Sequence, residues 1–121
     1  MSWDVVLVDE VDEWYFNLDY DTANLVGDAI DQLTEKGPAL ARPLADRVTG
    51  SKIHNMKELR PGSAGATEVR ILFVFDPQRQ AVLLVAGDKS GQWKDWYKQA
   101  IPLAEERYGK WLAGGYADEE R

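Results

Sequence analysis

The sequence predicts an α+β fold of element order β-α-α-β-β-β-α, with about four antiparallel strands, two N-terminal helices and one C-terminal helix. The stretch Thr67–Phe75 is rich in strand-forming residues, and a short turn separates it from a second such run at residues 80–86. Apolar residues before and after this hairpin recur at helical spacing. With 121 residues, 45% of them hydrophobic, the chain suits a single domain spanning residues 1–121.

The N-terminal part predicts one strand and two helices. Trp3–Val8 is expected to form a strand that joins the sheet. Apolar residues at helical spacing follow, and Asp9 is expected to cap this first helix. Asp21 is expected to cap a second helix ending at Gly37-Pro38, because glycine tolerates a left-handed terminal conformation and proline cannot continue the helix.

The remainder predicts a strand meander followed by a helix. Residues 38–52 are expected to form a loop with a helical turn near 43–48, and residues 53–59 a strand. Asp76-Pro77-Gln78-Arg79 fits a type I turn between the last two strands. Residues 93–111 have helical spacing, and Pro102 interrupts it, so a kink or a restart is expected near Ile101. Residues 113–121 are expected to be frayed, and the helices to pack on one face of the sheet.

Charge is unevenly distributed along the chain. The formal net charge is −7, with −8 in residues 1–51, +3 in residues 52–98 and −2 in residues 99–121. An acidic chain argues against general nucleic-acid binding, whereas the basic middle is compatible with a local anion site. The absence of cysteine excludes disulfides and thiol catalysis, and a lone histidine disfavours a metal site. The sequence contains no apolar run long enough to cross a membrane, and its N-terminus does not resemble a signal peptide. A cytoplasmic protein is therefore expected.

Three cations fall at predicted strand ends. Arg60 ends one strand, Arg70 begins the next, and Lys89 follows the last. Adjacent antiparallel strands bring such ends together, so the three can form one cluster. A guanidinium fork matches a phosphate well, which favours an anion site. Three solvated charges at a sheet edge would give the same pattern, and both interpretations stay open.

Other residues are weaker candidates for RNA binding or proton transfer: Lys57, Glu58, His54 and Lys94. Lys57 and Glu58 point to opposite faces of their strand, so at most one of them faces the cluster. His54 titrates nearest neutrality, although a lone strand histidine is more often structural. Glu58 is more often a salt-bridge partner, here for Arg60 or Arg70, than a base. Tyr97 lies on an apolar helical stripe that suggests the core.

Over residues 3–112 the chain resembles the RelE/HigB superfamily of bacterial toxins, and in particular its phage-derived HigB-like branch. The matching segments are HNMKELRP, EVRILFVFDPQRQAVLLVAGDKSGQWKDWY and IPLAEERYGKWL. The resemblance implies a RelE-like fold and a ribonuclease that cleaves mRNA, usually on the ribosome, without metal or cofactor. The RNA 2′-hydroxyl would attack the adjacent phosphate, with Arg60, Arg70 and Lys89 as the catalytic cations.

The same resemblance implies a HigA-like antitoxin with a helix-turn-helix domain as partner. The chain departs from the family in two respects: Ser90 stands where a second basic residue is common, and the net charge is acidic rather than basic. Two alternatives therefore stay open. One is a ParE-like inhibitor of DNA gyrase, and the other is a catalytically silent member that only binds a DNA-binding regulator.

Overall fold

The computed structural model describes residues 2–116, which form three α-helices and five strands. In chain order these are β1 Asp4–Leu7, α1 Asp9–Phe16, α2 Tyr20–Lys36, a 3₁₀ turn Gly37–Ala39, β2 Ala45–Arg47, β3 Lys57–Leu59, β4 Val69–Phe75, β5 Gln80–Asp88 and α3 Trp93–Leu112. The predicted α+β class and the predicted helices are therefore confirmed.

The five strands form one mixed sheet of order β1-β5-β4-β3-β2. β1 joins the sheet as predicted, but it pairs parallel to β5, so the expectation of an entirely antiparallel sheet is wrong. The sheet has one strand more than the four that were expected. This additional strand, β2, lies where a helical turn was expected and pairs antiparallel with β3. A three-residue strand is too short to display alternation, and only its partner stabilises it. β3 is also shorter than predicted, because residues 53–56 turn before pairing begins.

The predicted antiparallel hairpin of β4 and β5 is confirmed, and it lies in the interior of the sheet. Its register shifts between Leu72 and Phe73, which marks a β-bulge. The Asp76 carboxylate organises the turn by accepting hydrogen bonds from the backbone N–H groups of Gln78 (3.0 Å) and Gln80 (2.9 Å). Arg79 completes the turn with a φ of 63°. The predicted turn at Asp76 is therefore confirmed.

Both faces of the sheet are covered, so the expectation of helices on one face is wrong. Consecutive β4 residues point to opposite faces, yet Ile71, Leu72, Phe73 and Val74 are all fully buried. α3 covers the face of Glu58, Leu72 and Gly87, since Tyr97 reaches Glu58 and Trp96 abuts Gly87. The opposite face carries Phe75, whose ring contacts Trp3 beside the end of α2.

The helix ends differ from expectation at two aspartates. Val8 rather than Asp9 occupies the N-cap of α1, and no side chain caps that helix. α2 begins two residues earlier than predicted, since Asp19 rather than Asp21 is its N-cap and accepts a hydrogen bond from the Thr22 N–H. Gly37 ends α2 as predicted, with a φ of 55°.

α3 runs as one helix through Pro102, so the predicted restart there is wrong. Pro102 is exposed, and so is Lys98, the residue whose carbonyl loses its helical partner. Residues 114–116 are not frayed: Tyr116 is buried, and its hydroxyl donates to Glu10 at 3.0 Å. The rest of the predicted frayed tail, residues 117–121, lies outside the described residues. No helix of the described part is long and apolar enough to cross a membrane.

Candidate nucleic-acid groove

A groove separates the N-terminal part of α3 from β3 and the segment that joins β2 to β3. It encloses a cavity of about 790 Å³. Six lining residues are basic, namely Arg47, Lys52, Arg60, Lys89, Lys94 and Lys98, whereas only Glu58 and Glu105 are acidic. The groove therefore carries a formal charge of +4 on a chain of −7. Such local concentration of cations attracts anionic ligands.

Glu58 connects the elements on both sides of the groove. Strand pairing sets it opposite Leu72 of β4 and Asp46 of β2, and its side chain is almost completely buried. Its Oε1 accepts a hydrogen bond of 2.5 Å from the Tyr97 hydroxyl on α3. Its Oε2 accepts one of 2.8 Å from Arg60 Nε. A buried carboxylate needs such partners, and here they attach α3 to the sheet.

Arg60 lies at the end of β3 and bridges two carboxylates. Its Nη2 is 2.7 Å from Glu58 Oε2 and 3.2 Å from Asp46 Oδ2. Partial burial disfavours its charge, but the hydrogen bond and charge of Glu58, together with Asp46, outweigh this and raise the Arg60 pKa. Arg60 is thus a fixed, permanently charged donor in the groove wall.

Lys89 is held against the aromatic residues of α3. Only 4% of it is exposed, and its Nζ lies 3.9 Å from the Trp93 ring centroid and 5.6 Å from that of Tyr97. Glu68 supplies its counter-charge at 3.6 Å. The prediction that Lys89 approaches the ends of the other strands is thus consistent with the structure, which also lines the groove with both Lys89 and Arg60.

Arg70 lies beside the groove rather than in its lining. It pairs across the sheet with Gly87, on the face covered by α3, and its charge lowers the pKa of Tyr97 against the stronger effect of burial. Its Nη1 donates to the Val69 carbonyl at 2.8 Å, and its buried Nε has no hydrogen-bond partner among the described residues. The structure therefore brings Arg70 close to the predicted cluster without exposing it in the groove.

Of the weaker candidates, Glu58 and Lys94 line the groove, whereas Lys57 and His54 do not. Lys57 is not among the lining residues: it pairs with Phe73 on the opposite face, and its Nζ lies 5.6 Å from the Phe75 ring centroid. His54 is exposed in a turn rather than in the predicted strand, and it does not line the groove.

Tyr97 was expected in the core, but it lines the groove and donates to Glu58. Burial and the adjacent Glu58 carboxylate raise its pKa above the usual range, so its hydroxyl keeps its proton at neutral pH. A protonated hydroxyl beside cations is a hydrogen-bond donor for an anionic ligand. Sequence spacing alone did not separate this position from the neighbouring core positions of α3.

Sequence reasoning also missed four basic or aromatic residues of the lining: Arg47, Lys52, Trp93 and Lys98. A signal was present on α3, where Lys94 and Lys98 are four residues apart, as are Trp93 and Tyr97. Residues at this spacing lie on one side of a helix. Within residues 2–116 no cluster of His, Asp or Glu has the arrangement of a metal site.

Comparison with known proteins identifies the family. Residues 13–109 match the model of the phage-derived protein Gp49-like family. Two Mycobacterium tuberculosis proteins, named "Putative toxin HigB3" and "Putative toxin HigB2", are 51% and 53% identical to this chain over 109 and 106 residues. The matches cover 90% and 88% of this chain, 93% of HigB3 and 53% of HigB2, so the chain spans about half the length of the latter.

The fold also has a counterpart among solved structures. An arginine-to-alanine double mutant of Escherichia coli toxin RelE in the free state superposes with a TM-score of 0.60, covering 84% of this chain and 97% of RelE. At 8% identity this likeness concerns the fold alone, and it confirms the expected RelE-like architecture. The chain therefore belongs to the phage-derived Gp49-like family, as a HigB-like member with the RelE fold.

Proposed function

We propose that this chain is the toxin of a toxin–antitoxin system and acts as a metal-independent endoribonuclease on mRNA in the cytoplasm, at the ribosome. The observation that carries this proposal is the groove: a net charge of +4 gathered on a chain of −7. RNA carries one negative charge per phosphate, so binding there is electrostatically favourable. The identity to two proteins named as toxins supports the same function.

In the proposed reaction the ribose 2′-hydroxyl attacks the adjacent phosphorus. The P–O5′ bond breaks, which yields a 2′,3′-cyclic phosphate and a free 5′-hydroxyl. Glu58 takes the proton of the 2′-hydroxyl, and the protonated Tyr97 donates to the departing 5′-oxygen. The proton then returns from Glu58 to Tyr97 along their 2.5 Å hydrogen bond, so the site is restored.

Arg60 and Lys89 are proposed to stabilise the negative charge that develops on the phosphate, and Arg70 to add positive charge from beside the groove. The bonds of Arg60 to Glu58 and Asp46 use Nε and Nη2, so within the described residues Nη1 keeps its hydrogens for a phosphate oxygen. Lys89 would approach from the aromatic side of the groove. Preorganised cations of this kind commonly contribute about 3 kcal/mol each to transition-state stabilisation.

The test is induced expression of the chain alone, followed by growth measurement and mapping of transcript ends. The wild type should arrest growth and produce cleaved transcripts in cells. The purified protein should also cleave mRNA on ribosomes when a metal chelator is present. Arg60→Ala should lower cleavage by about 100-fold or more. Lys57→Ala removes a cation from the opposite face and is the matched control, expected to cleave normally. Intact transcripts in wild-type cells would contradict the proposal.

A second candidate function, a catalytically silent binding partner, is favoured by one observation. Arg60 and Lys89 already have carboxylate partners, which compete with a phosphate for their charge. Under this alternative the purified chain binds its antitoxin but leaves mRNA uncut in the presence of ribosomes. Glu68→Gln distinguishes the two functions, because it removes the carboxylate that pairs with Lys89. The change should raise the cleavage rate if the chain is a ribonuclease, and it should produce no cleavage if the chain is catalytically silent.

The proposed partner is a HigA-like antitoxin with a helix-turn-helix domain, bound to the acidic α1–α2 half of the chain. Phe16 and Tyr20 are 88% and 80% exposed there, beside the acidic residues of α1. Exposed aromatics of this kind commonly mark interfaces, and the surrounding charge fits a basic partner surface. Phe16→Ser should weaken antitoxin binding about tenfold or more in a titration, whereas Leu112→Ser, at another exposed apolar residue, should not.

A further inference from the structure

The exposed tryptophan at the start of α3 has no role in the reaction proposed above. Trp93 is 60% exposed, whereas the other four tryptophans are half-buried. It lines the groove, next to the proposed phosphate-binding cations. A large ring left open to water forgoes the benefit of burial, and such exposure beside a charged groove points to a ligand.

The orientation of the Trp93 ring is held by a buried cation. Lys89 Nζ lies 3.9 Å from the ring centroid, and Glu68 and the surrounding protein hold Lys89 in place. A cation over an indole ring is a favourable contact, strongest where water is excluded. The ring is thus fixed on one side while most of its surface stays accessible, which makes it a preformed stacking platform.

Basic residues follow the same helix in register with this platform. Lys94 and Lys98 are one turn apart, both are exposed, and both line the groove. Trp93 and Tyr97 form the adjacent row. Arg47 and Lys52 add positive charge from the opposite wall. An aromatic row beside a basic row is the arrangement that binds single-stranded nucleic acid, with bases stacked and phosphates neutralised.

We propose that the N-terminal turns of α3 form a subsite for one unpaired nucleotide, with its base stacked on Trp93 and the flanking phosphates held by Lys94 and Lys98. The ligand is single-stranded RNA, because a base within a duplex is already stacked and paired. This subsite rests on the proposed ribonuclease function for the identity of its ligand, and it adds that the substrate strand must be opened at that nucleotide.

The test is equilibrium binding of a fluorescent single-stranded oligonucleotide with 2′-O-methyl sugars, which cannot be cleaved. A second probe has the same backbone without bases. Trp93→Ala should weaken binding of the base-bearing strand about tenfold or more, and leave binding of the abasic strand within about twofold. Trp93→Phe should recover most of the loss. Lys94→Ala together with Lys98→Ala should weaken both probes and reduce the salt dependence.

Leu112→Ala is the matched control, because Leu112 is 58% exposed, close to the value for Trp93, and does not line the groove, so both affinities should stay unchanged. If Trp93→Ala weakens both probes equally, or neither, the subsite is refuted and Trp93 serves only to cover Lys89. The two proposals can fail separately. Trp93-dependent binding by a chain that cleaves no mRNA would refute the nuclease and keep the subsite, whereas cleavage without base-dependent binding would do the reverse.

Discussion

Two buried carboxylates, Asp76 and Glu58, organise different parts of this sheet, and their partners differ in kind. Asp76 accepts hydrogen bonds from two backbone N–H groups of its own turn and from the Trp111 indole N–H at 3.1 Å. Glu58 instead binds the side chains of Arg60 and Tyr97, both of which line the groove. Neutral, non-titrating donors suit a structural role, whereas charged and titratable partners suit chemistry. Similar burial thus accompanies a structural role for Asp76 and a proposed catalytic role for Glu58.

The largest expected effect on stability is that of Asp76→Ala. The change leaves three N–H donors without their acceptor, and each buried unsatisfied donor costs free energy. We expect the free energy of unfolding to fall by about 3 kcal/mol in urea titrations. Asp28→Ala, at an exposed position of α2, is the control and should change it by less than about 0.5 kcal/mol. Equal losses in the two variants would remove the structural role given to Asp76.

A smaller loss of stability but a larger loss of function is expected for Glu58→Gln. The amide keeps an acceptor for Tyr97 but removes the charge that pairs with Arg60, so unfolding should become easier by about 1–2 kcal/mol. Cleavage per folded molecule should nevertheless fall at least 100-fold, because the proposed proton acceptor is gone. Asp76→Ala should retain normal cleavage per folded molecule. The comparison fails if both variants lose activity in proportion to stability.

The smallest expected effect is a difference in alkaline pH dependence. The pKa of Tyr97 is raised by burial and by Glu58, so its contribution to stability is fully present below the unfolded value of about 10 and is lost as pH rises further. Tyr97→Phe should therefore flatten the fall in stability between pH 9 and 11, measured by urea titration at each pH. Burial raises the pKa of Tyr116 to about 12, so a reduced fall should persist in that variant.

Asp76→Asn should reduce the alkaline fall only slightly, because burial is the main cause of the raised pKa of Tyr108 and the Asp76 charge is the smaller one. A fall of equal size in wild type and Tyr97→Phe would place the alkaline sensitivity elsewhere. Together the three measurements test whether Asp76 stabilises the fold while Glu58 acts in the proposed reaction.

The regular elements were predictable because their signals are local. β4 and β5 contain long runs of strand-forming residues, and the two N-terminal helices have clear apolar stripes. β2 was not predictable, because three residues carry no periodicity and depend on β3, ten residues later. The parallel pairing of β1 with β5 likewise joins segments more than 70 residues apart, and nothing within either segment specifies its direction.

Only the part of the site that lies at strand ends could be predicted from the sequence, because the order of the strands indicates which ends are neighbours. Strand ends placed Arg60 and Lys89 near each other, and the structure lines one groove with both. Sequence alone could not say that α3 lies across those strand ends. For that reason Tyr97 was assigned to the core although it contacts Glu58, which is 39 residues away. Lys57 and Glu58 lie on opposite faces of the sheet, as the alternation along the strand predicts, and the structure adds that Glu58 is the one that faces the groove.

The two walls of the groove come from separate parts of the chain, and this determines when the groove can form during synthesis. One wall comes from residues 47–60, but the other comes from residues 89–105 of α3. β5, which precedes α3, also completes the pairing of both β1 and β4. A nascent chain shorter than about 105 residues therefore has neither a closed sheet nor a second wall, and it cannot assemble the groove. If the chain acts on ribosomes, its groove cannot act on the ribosome that makes it until residues up to about 105 have emerged.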